Sequence, residues 1–244
     1  MPMNAAQLLL LNVLGGSTPF SPLDIPGLAL WLDASDSATL FQDSAGTTPA
    51  TADNDVVGRW ADKSGNARHV TQATTANKPL LKLAQQNGKS VVRFDGVNDN
   101  MIADFGTTFS QPGVLLCVAN TNGATTGYLI DGRSDSYRWA SFLFSGYLAM
   151  YAGVLLNLMP NPIQAIVLTS VYNGTSSIGR VNGTQKAFGN TGTHSLTGVT
   201  IGNRFSSNDY LNGDITEVLL YTGALSTPNI EALEAYLNAK WGVY

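Results

Sequence analysis

Few side chains in this chain could do acid–base or nucleophilic chemistry, and their spacing narrows the choice further. Glutamate occurs only as Glu217, Glu231 and Glu234, and histidine only as His69 and His194. A retaining glycosidase needs two carboxyls about 5–5.5 Å apart. The pair to weigh on a strand is Asp214 and Glu217, which on a regular strand point to opposite faces. Asp214 is expected to belong to the Gly213-Asp214 turn, and Glu217 to accept hydrogen bonds from loop backbone. His194 lies in the loop Thr191-Gly192-Thr193-His194-Ser195, and neither a Gly-x-Ser-x-Gly elbow nor a phosphate-cradling glycine loop occurs. Cys117, the single cysteine, sits in the apolar run Val114-Leu115-Leu116-Cys117-Val118-Ala119. It reads as a small buried hydrophobe, with no partner for an internal disulfide. No catalytic residue is assigned, and the expectation is a protein that is not an enzyme.

Binding chemistry has more material. Asp95, Asn98 and Asp99 crowd one strand end, and Asp33 with Asp36 follow another. Such side chains cap turns without a metal, and no cofactor is expected on that reading; hard oxygen ligands in loops also suit Ca²⁺, which is the alternative. Tyr137-Arg138-Trp139 with Tyr147 and Tyr151 holds the flat aromatic faces and planar polar groups that grip sugars. Core packing, with Trp139 inward, is the competing reading of that alternation. The loop Phe205-Ser206-Ser207-Asn208-Asp209-Tyr210 is a second candidate. Net charge is −4 and cations occur singly, so a nucleic-acid groove is not expected.

The elements that must position these groups are short. Of 244 residues, 30 are charged, 13 basic and 17 acidic, or 12% where about 25% is usual. Surface polarity must come from Thr, Ser, Asn and Gly. Strand-length runs bounded by turn residues recur at 28–32, 56–60, 90–94, 114–119, 127–130, 137–144, 147–152, 164–172, 177–181, 199–201 and 215–221. Asn173-Gly174 and Asn182-Gly183 mark two hairpin turns of a meander that ends near Phe188. Thr227 as N-cap, Pro228 at the first helical position, an apolar face of Ile230, Leu233, Leu237 and Trp241, and Gly242 at the end predict a closing helix over 227–241. Glu231, Glu234 and Lys240 suit its dipole. Many short strands without intervening amphipathic helices predict an all-β, two-sheet antiparallel sandwich.

Ahead of that domain lies the run Leu8, Leu9, Leu10, Leu11, Asn12, Val13, Leu14. No Lys or Arg precedes Arg59, so it lacks the cationic region of a signal peptide, and it is too short to span a membrane. Its leucines are expected to dock on a partner subunit. Residues 1–26 are thus expected to form an arm and linker, and 27–244 one domain.

Gly27-Leu28-Ala29-Leu30-Trp31-Leu32-Asp33-Ala34-Ser35-Asp36, then Trp60-Ala61-Asp62-Lys63-Ser64-Gly65-Asn66, then Arg93-Phe94-Asp95-Gly96-Val97-Asn98-Asp99, resemble the laminin G-like branch of the concanavalin A-like lectin/glucanase superfamily. The ending, Leu211-Asn212-Gly213-Asp214-Ile215-Thr216-Glu217-Val218-Leu219-Leu220-Tyr221 followed by the helix closing at Lys240-Trp241-Gly242, is similar to that branch as well. The resemblance spans residues 27–244 and implies a jelly roll, with calcium held at such loops in some members. Such domains occur in bacteriophage structural proteins and bacterial surface proteins. The expectation is a noncatalytic virion decoration or host-attachment protein, part of a capsid or tail. It would be made in the host cytoplasm without a signal peptide, displayed on the virion surface and anchored to other virion subunits by its arm. Host-surface glycans are the expected ligands, and a homo-oligomer the expected unit; trimers are common for projecting virion parts, but these residues do not set the number. The alternative is an extracellular carbohydrate-binding module of a bacterial surface or polysaccharide-degrading system.

Overall fold

The computed structural model describes residues 19–244, so the leucines at 8–11 and 14, with Val13, lie outside the described residues. Two antiparallel sheets face each other. The back sheet runs Thr184–Gly189, Ser177–Val181, Ile166–Tyr172, Gly113–Asn120, Asn212–Thr222, Lys89–Asp95, Leu80–Gln86, with Leu28–Asp33 pairing the far half of Asn212–Thr222. The front sheet runs Leu155–Pro160, Tyr147–Tyr151, Ala140–Phe144, Gly127–Asp131, Leu196–Ile201, Met101–Phe109, Val70–Thr71, Arg59–Trp60, Leu40–Phe41. This is the all-β jelly-roll sandwich expected.

The apolar run around Cys117 is continuous because its strand is buried on both faces. Leu115, Cys117 and Ala119 enter the core between the sheets, while Val114, Leu116 and Val118 lie under the closing helix Thr227–Trp241. The Cys117 thiol is buried and its pKa is pushed up by that burial. Ile230, Leu233, Leu237 and Trp241 are all buried, as their spacing predicts, and Gly242 ends the helix at φ 60°. Its N-cap is Ser226, one residue earlier than expected: the Ser226 hydroxyl accepts from the Asn229 N–H.

Other expectations needed correction. Residues 20–25 belong to the domain rather than to a linker. Ile25 is buried in the cluster under the helix, and the Pro22 carbonyl accepts from Tyr221 Oη at 2.8 Å. Asn173 has φ −153°, so its turn is not the two-residue kind; a short 3₁₀ segment, Gly174–Ser176, fills it. Asn182-Gly183, at φ 51° and 72°, is the tight turn expected. The run 56–60 is strand only at its end, Arg59–Trp60.

Candidate functional site

The expected aromatic segment folds into the hairpin Ala140–Phe144 and Tyr147–Tyr151. Ser145 and Gly146 join its strands with φ 49° and 81°, the pair of positive angles of a type I′ turn. Leu143, Leu148 and Met150 enter the core, so Phe142, Phe144, Tyr147 and Tyr151 take the outer face of the front sheet. Tyr147 stands opposite Phe144, and Phe142 opposite Tyr128 of the neighbouring strand. Trp139 is a correction to the sugar-binding set. It is fully buried, stacks on Tyr172 at 5.4 Å, and donates Nε1–H to the His194 carbonyl. Gly113 lies against the indole, where any Cβ would collide with it.

On the outer face these residues form a hollow of about 220 Å³ lined by Tyr128, Arg138, Phe142, Phe144, Tyr151, Leu155 and Arg204. Its floor is the Tyr128–Phe142 pair, stacked at 4.5 Å and 10°. Phe144 and Leu155 remain 49% and 41% exposed at its rim. Arg138 makes a bidentate pair with Asp131, Nε to Oδ1 at 3.0 Å and Nη2 to Oδ2 at 2.9 Å, and both residues are buried. Burial pushes the Asp131 carboxyl up against the pull of Arg138. The guanidinium carbon of Arg138 lies 4.9 Å from the Tyr151 ring, 5.8 Å from Tyr128 and 5.5 Å from Phe205. The loop expected as a second site borders the same hollow. Phe205 N–H donates to Asp131, Arg204 pairs with Asp209 at 3.7 Å, and the Asp209 carbonyl accepts from Tyr128 N–H.

Of the expected sugar-contacting residues, Arg138 and Tyr151 thus line the hollow, and Tyr147 stands beside it. Tyr137 is exposed on the preceding loop and does not line it. Tyr128, Phe142, Phe144, Leu155 and Arg204 were not anticipated. Parity held the signal for two of them, because an inward Trp139 turns Phe142 and Phe144 outward.

The acidic candidates separate into two kinds. In the calcium set, Asp95 Oδ1 accepts from Val97 and Asn98 N–H, and Asp99 Oδ2 accepts from Asp95 N–H, which is turn capping. Asn98 Oδ1 is buried without a partner, and the Asp99 carboxyl is pushed up to about 7 by burial and by the Asp95 charge, against its hydrogen bond from Asp95 N–H. Asp95, Asn98 and Asp99 leave oxygen atoms of the kind Ca²⁺ takes, while among the described residues no group of three or more His, Cys, Asp or Glu side chains is placed to hold a metal ion. Asp33 and Asp36 are not such a pair, because lysines hold them: Lys63 reaches both, and Lys240 reaches Asp33. Burial works to raise the Asp33 pKa, but Lys240 and Lys63 outweigh it and the net shift is downward.

Asp214 and Glu217 contradict the expected geometry. A bulge between Ile215 and Glu217 resets the alternation, so both face the helix side of the back sheet. Asp214 pairs with Arg93 through two contacts of 2.7 and 2.8 Å rather than serving a turn. Glu217, fully buried, accepts from Trp31 Nε1, Tyr236 Oη and Trp241 Nε1 and pairs with Lys240, with no loop backbone involved. It fastens the helix to the sheet. Glu234 likewise pairs with Arg180 and accepts from Thr169, a role dipole reasoning did not foresee.

An antiparallel jelly-roll sandwich carrying an aromatic hollow on one outer face is the class that fold and site define. No protein-family model matches the chain, and no curated protein matches it. Among solved structures, an α-L-arabinofuranosidase mutant soaked with 4-nitrophenyl α-L-arabinofuranoside is similar with a TM-score of 0.66, at 12% identity, over 98% of this chain and 66% of that one. A Trypanosoma rangeli sialidase in complex with a difluoro sugar analogue is similar with a TM-score of 0.60 at 14% identity, over 97% of this chain but only 39% of the sialidase. The binding domain of botulinum neurotoxin serotype D gives a TM-score of 0.60 at 11% identity, covering 89% of this chain and 55% of that one. These likenesses establish the fold, a two-sheet antiparallel jelly-roll sandwich.

Proposed function

We propose that the protein is a noncatalytic carbohydrate-binding module that engages a glycan in the aromatic hollow. The observation that carries this is the outward row of Tyr128, Phe142, Phe144 and Tyr151 on adjacent strands, with guanidinium groups at its margin. Sugars present C–H faces that pack on aromatic rings and hydroxyls that need fixed polar partners, and the hollow supplies both. The carboxylates a hydrolase would use are committed elsewhere: Asp131 to Arg138, Asp214 to Arg93, Glu217 to Lys240 and two indoles.

The finer reading is a laminin G-like domain displayed on a bacteriophage capsid or tail as a homo-oligomer, its glycan a host-surface one. It rests on the sequence motifs and the leucine run. A glycan array probed with the full chain tests the binding; an empty array refutes it. Deleting residues 1–18 tests the anchor: loss of self-association or of particle attachment supports it, and unchanged assembly with unchanged monomer stability refutes it.

A further inference from the structure

We propose that a second saccharide site lies on the opposite side of the sandwich: a polar pocket on the outer face of the back sheet that takes the hydroxylated edge of a neutral sugar. It stands independently of the aromatic hollow. The pocket holds about 110 Å³ and is lined by Gln86, Arg93, Asn120, Asn122 and Asp214, with Val118 among the apolar residues beneath. Strand pairing builds it. Asn120, Asp214 and Arg93 stand in register on three adjacent strands, so an amide, a carboxylate and a guanidinium line up across the sheet.

The protein uses only part of each group. Arg93 gives Nε and Nη2 to Asp214, and Nη2 also to Gln85, which leaves Nη1 without a partner among the described residues. The Asn122 N–H takes the Asn120 side-chain oxygen, which leaves Nδ2 over. Gln86 gives Nε2 to the Trp241 carbonyl, which leaves Oε1 over. These ends belong to pocket-lining residues and are open to solvent. An ionised carboxylate accepts at about four lone-pair positions, so Asp214, with two filled by Arg93, keeps room for a hydroxyl. Among the lining residues the one cation and the one anion are bonded to each other. A sugar carboxylate would meet the Asp214 charge and an ammonium the Arg93 charge. Neighbouring hydroxyls, which both donate and accept, can satisfy Asp214, Asn120, Arg93 and Gln86 together.

The test is an NMR titration of the full chain with methyl glycosides of neutral hexoses and pentoses, with glucuronate and glucosamine as charged counterparts. Neutral sugars are expected to shift the side-chain amide signals of Asn120 and Gln86 saturably. Asn120→Ala should weaken that binding about fivefold. Asn122→Gly, which keeps the backbone at its φ of 48°, should weaken it as well while the thermal midpoint holds. Phe144→Ala and Tyr151→Ala should leave these shifts unchanged. Shifts that fade in the Asn120 and Asn122 variants but persist in the two hollow variants uphold the second site, whatever the hollow itself binds. No shift at Asn120 or Gln86 with any neutral sugar, tighter binding of glucuronate or glucosamine, or binding indifferent to both Asn120→Ala and Asn122→Gly overturns this proposal and leaves the reading of the hollow standing.

Discussion

Asp99→Asn probes how the turn at the end of Lys89–Asp95 holds a buried carboxyl. Asp99 is 4% exposed and its carboxyl is pushed up to about 7 by burial and by Asp95. In the unfolded chain it titrates at about 3.9. As pH rises through the window from about 4 to 7, the unfolded chain releases this proton while the folded chain keeps it, so the group makes folding less favourable as pH rises. At ~1.4 kcal/mol per unit, the full displacement would be worth roughly 4 kcal/mol, and solvent screening of the exposed Asp95 charge brings it to ~2 kcal/mol. The amide that replaces the carboxyl in the variant keeps an oxygen able to accept from Asp95 N–H but does not titrate. In EDTA, the variant should therefore match the wild type near pH 4 and exceed it above pH 7, by ~4–8 °C in Tm for a domain of this size. Thermal melts of both proteins from about pH 4 to 8.5, with the exposed Asp135→Asn as control, read the difference directly. Parallel pH profiles for wild type and Asp99→Asn would refute the buried-carboxyl account.

If Asp95, Asn98 and Asp99 hold Ca²⁺, adding the ion at about pH 8 should raise the Tm of the wild type and not that of Asp99→Asn; no calorimetric heat and no shift removes the ion from the account. Glu217→Gln sets an amide N–H₂ against donors from Trp31, Tyr236, Trp241 and Lys240, and should cost about 2–4 kcal/mol in urea unfolding; a change within about 0.5 kcal/mol contradicts the fastening role. Arg138→Met leaves Asp131 buried and unpaired, for an expected loss of about 3–5 kcal/mol, whereas Arg138→Met with Asp131→Leu should recover most of it; equal losses in the single and double variants would contradict the pairing.

Much of the architecture could be read from residue order because it follows from local chemistry. The apolar run 114–119, the spacing Ile230, Leu233, Leu237, Trp241 and the turn Asn182-Gly183 each constrain a conformation on their own. What escaped was settled by distant partners. Met101–Phe109 lacks a continuous apolar run, since Asp104 and Gly106 interrupt it, and its pairing with Leu196–Ile201 makes it a strand. The bulge that turns Asp214 and Glu217 to one side leaves no mark in composition; it arises where their strand meets Gly113–Asn120. Part of the hollow was visible as Arg138 and Tyr151, which share one short stretch of chain. Tyr128 and Arg204 lie outside the hairpin that carries Phe142, Phe144 and Tyr151, and no local spacing links them to it. Pairing of Gly127–Asp131 with both Ala140–Phe144 and Leu196–Ile201 brings them there.

The central claim is that the outer face of the front sheet holds a saccharide on its aromatic rings. Calorimetric titration of the best oligosaccharide from the array, into the wild type and into Phe144→Ala, Tyr151→Ala and Phe188→Ala, tests it most directly. Phe188 is 62% exposed on the back sheet, away from the hollow, and serves as the control. The account predicts saturable binding by the wild type, a loss of about tenfold or more, ~1.4 kcal/mol, in each of the first two variants, and an unchanged affinity in Phe188→Ala. Binding that survives both Phe144→Ala and Tyr151→Ala undiminished would contradict it.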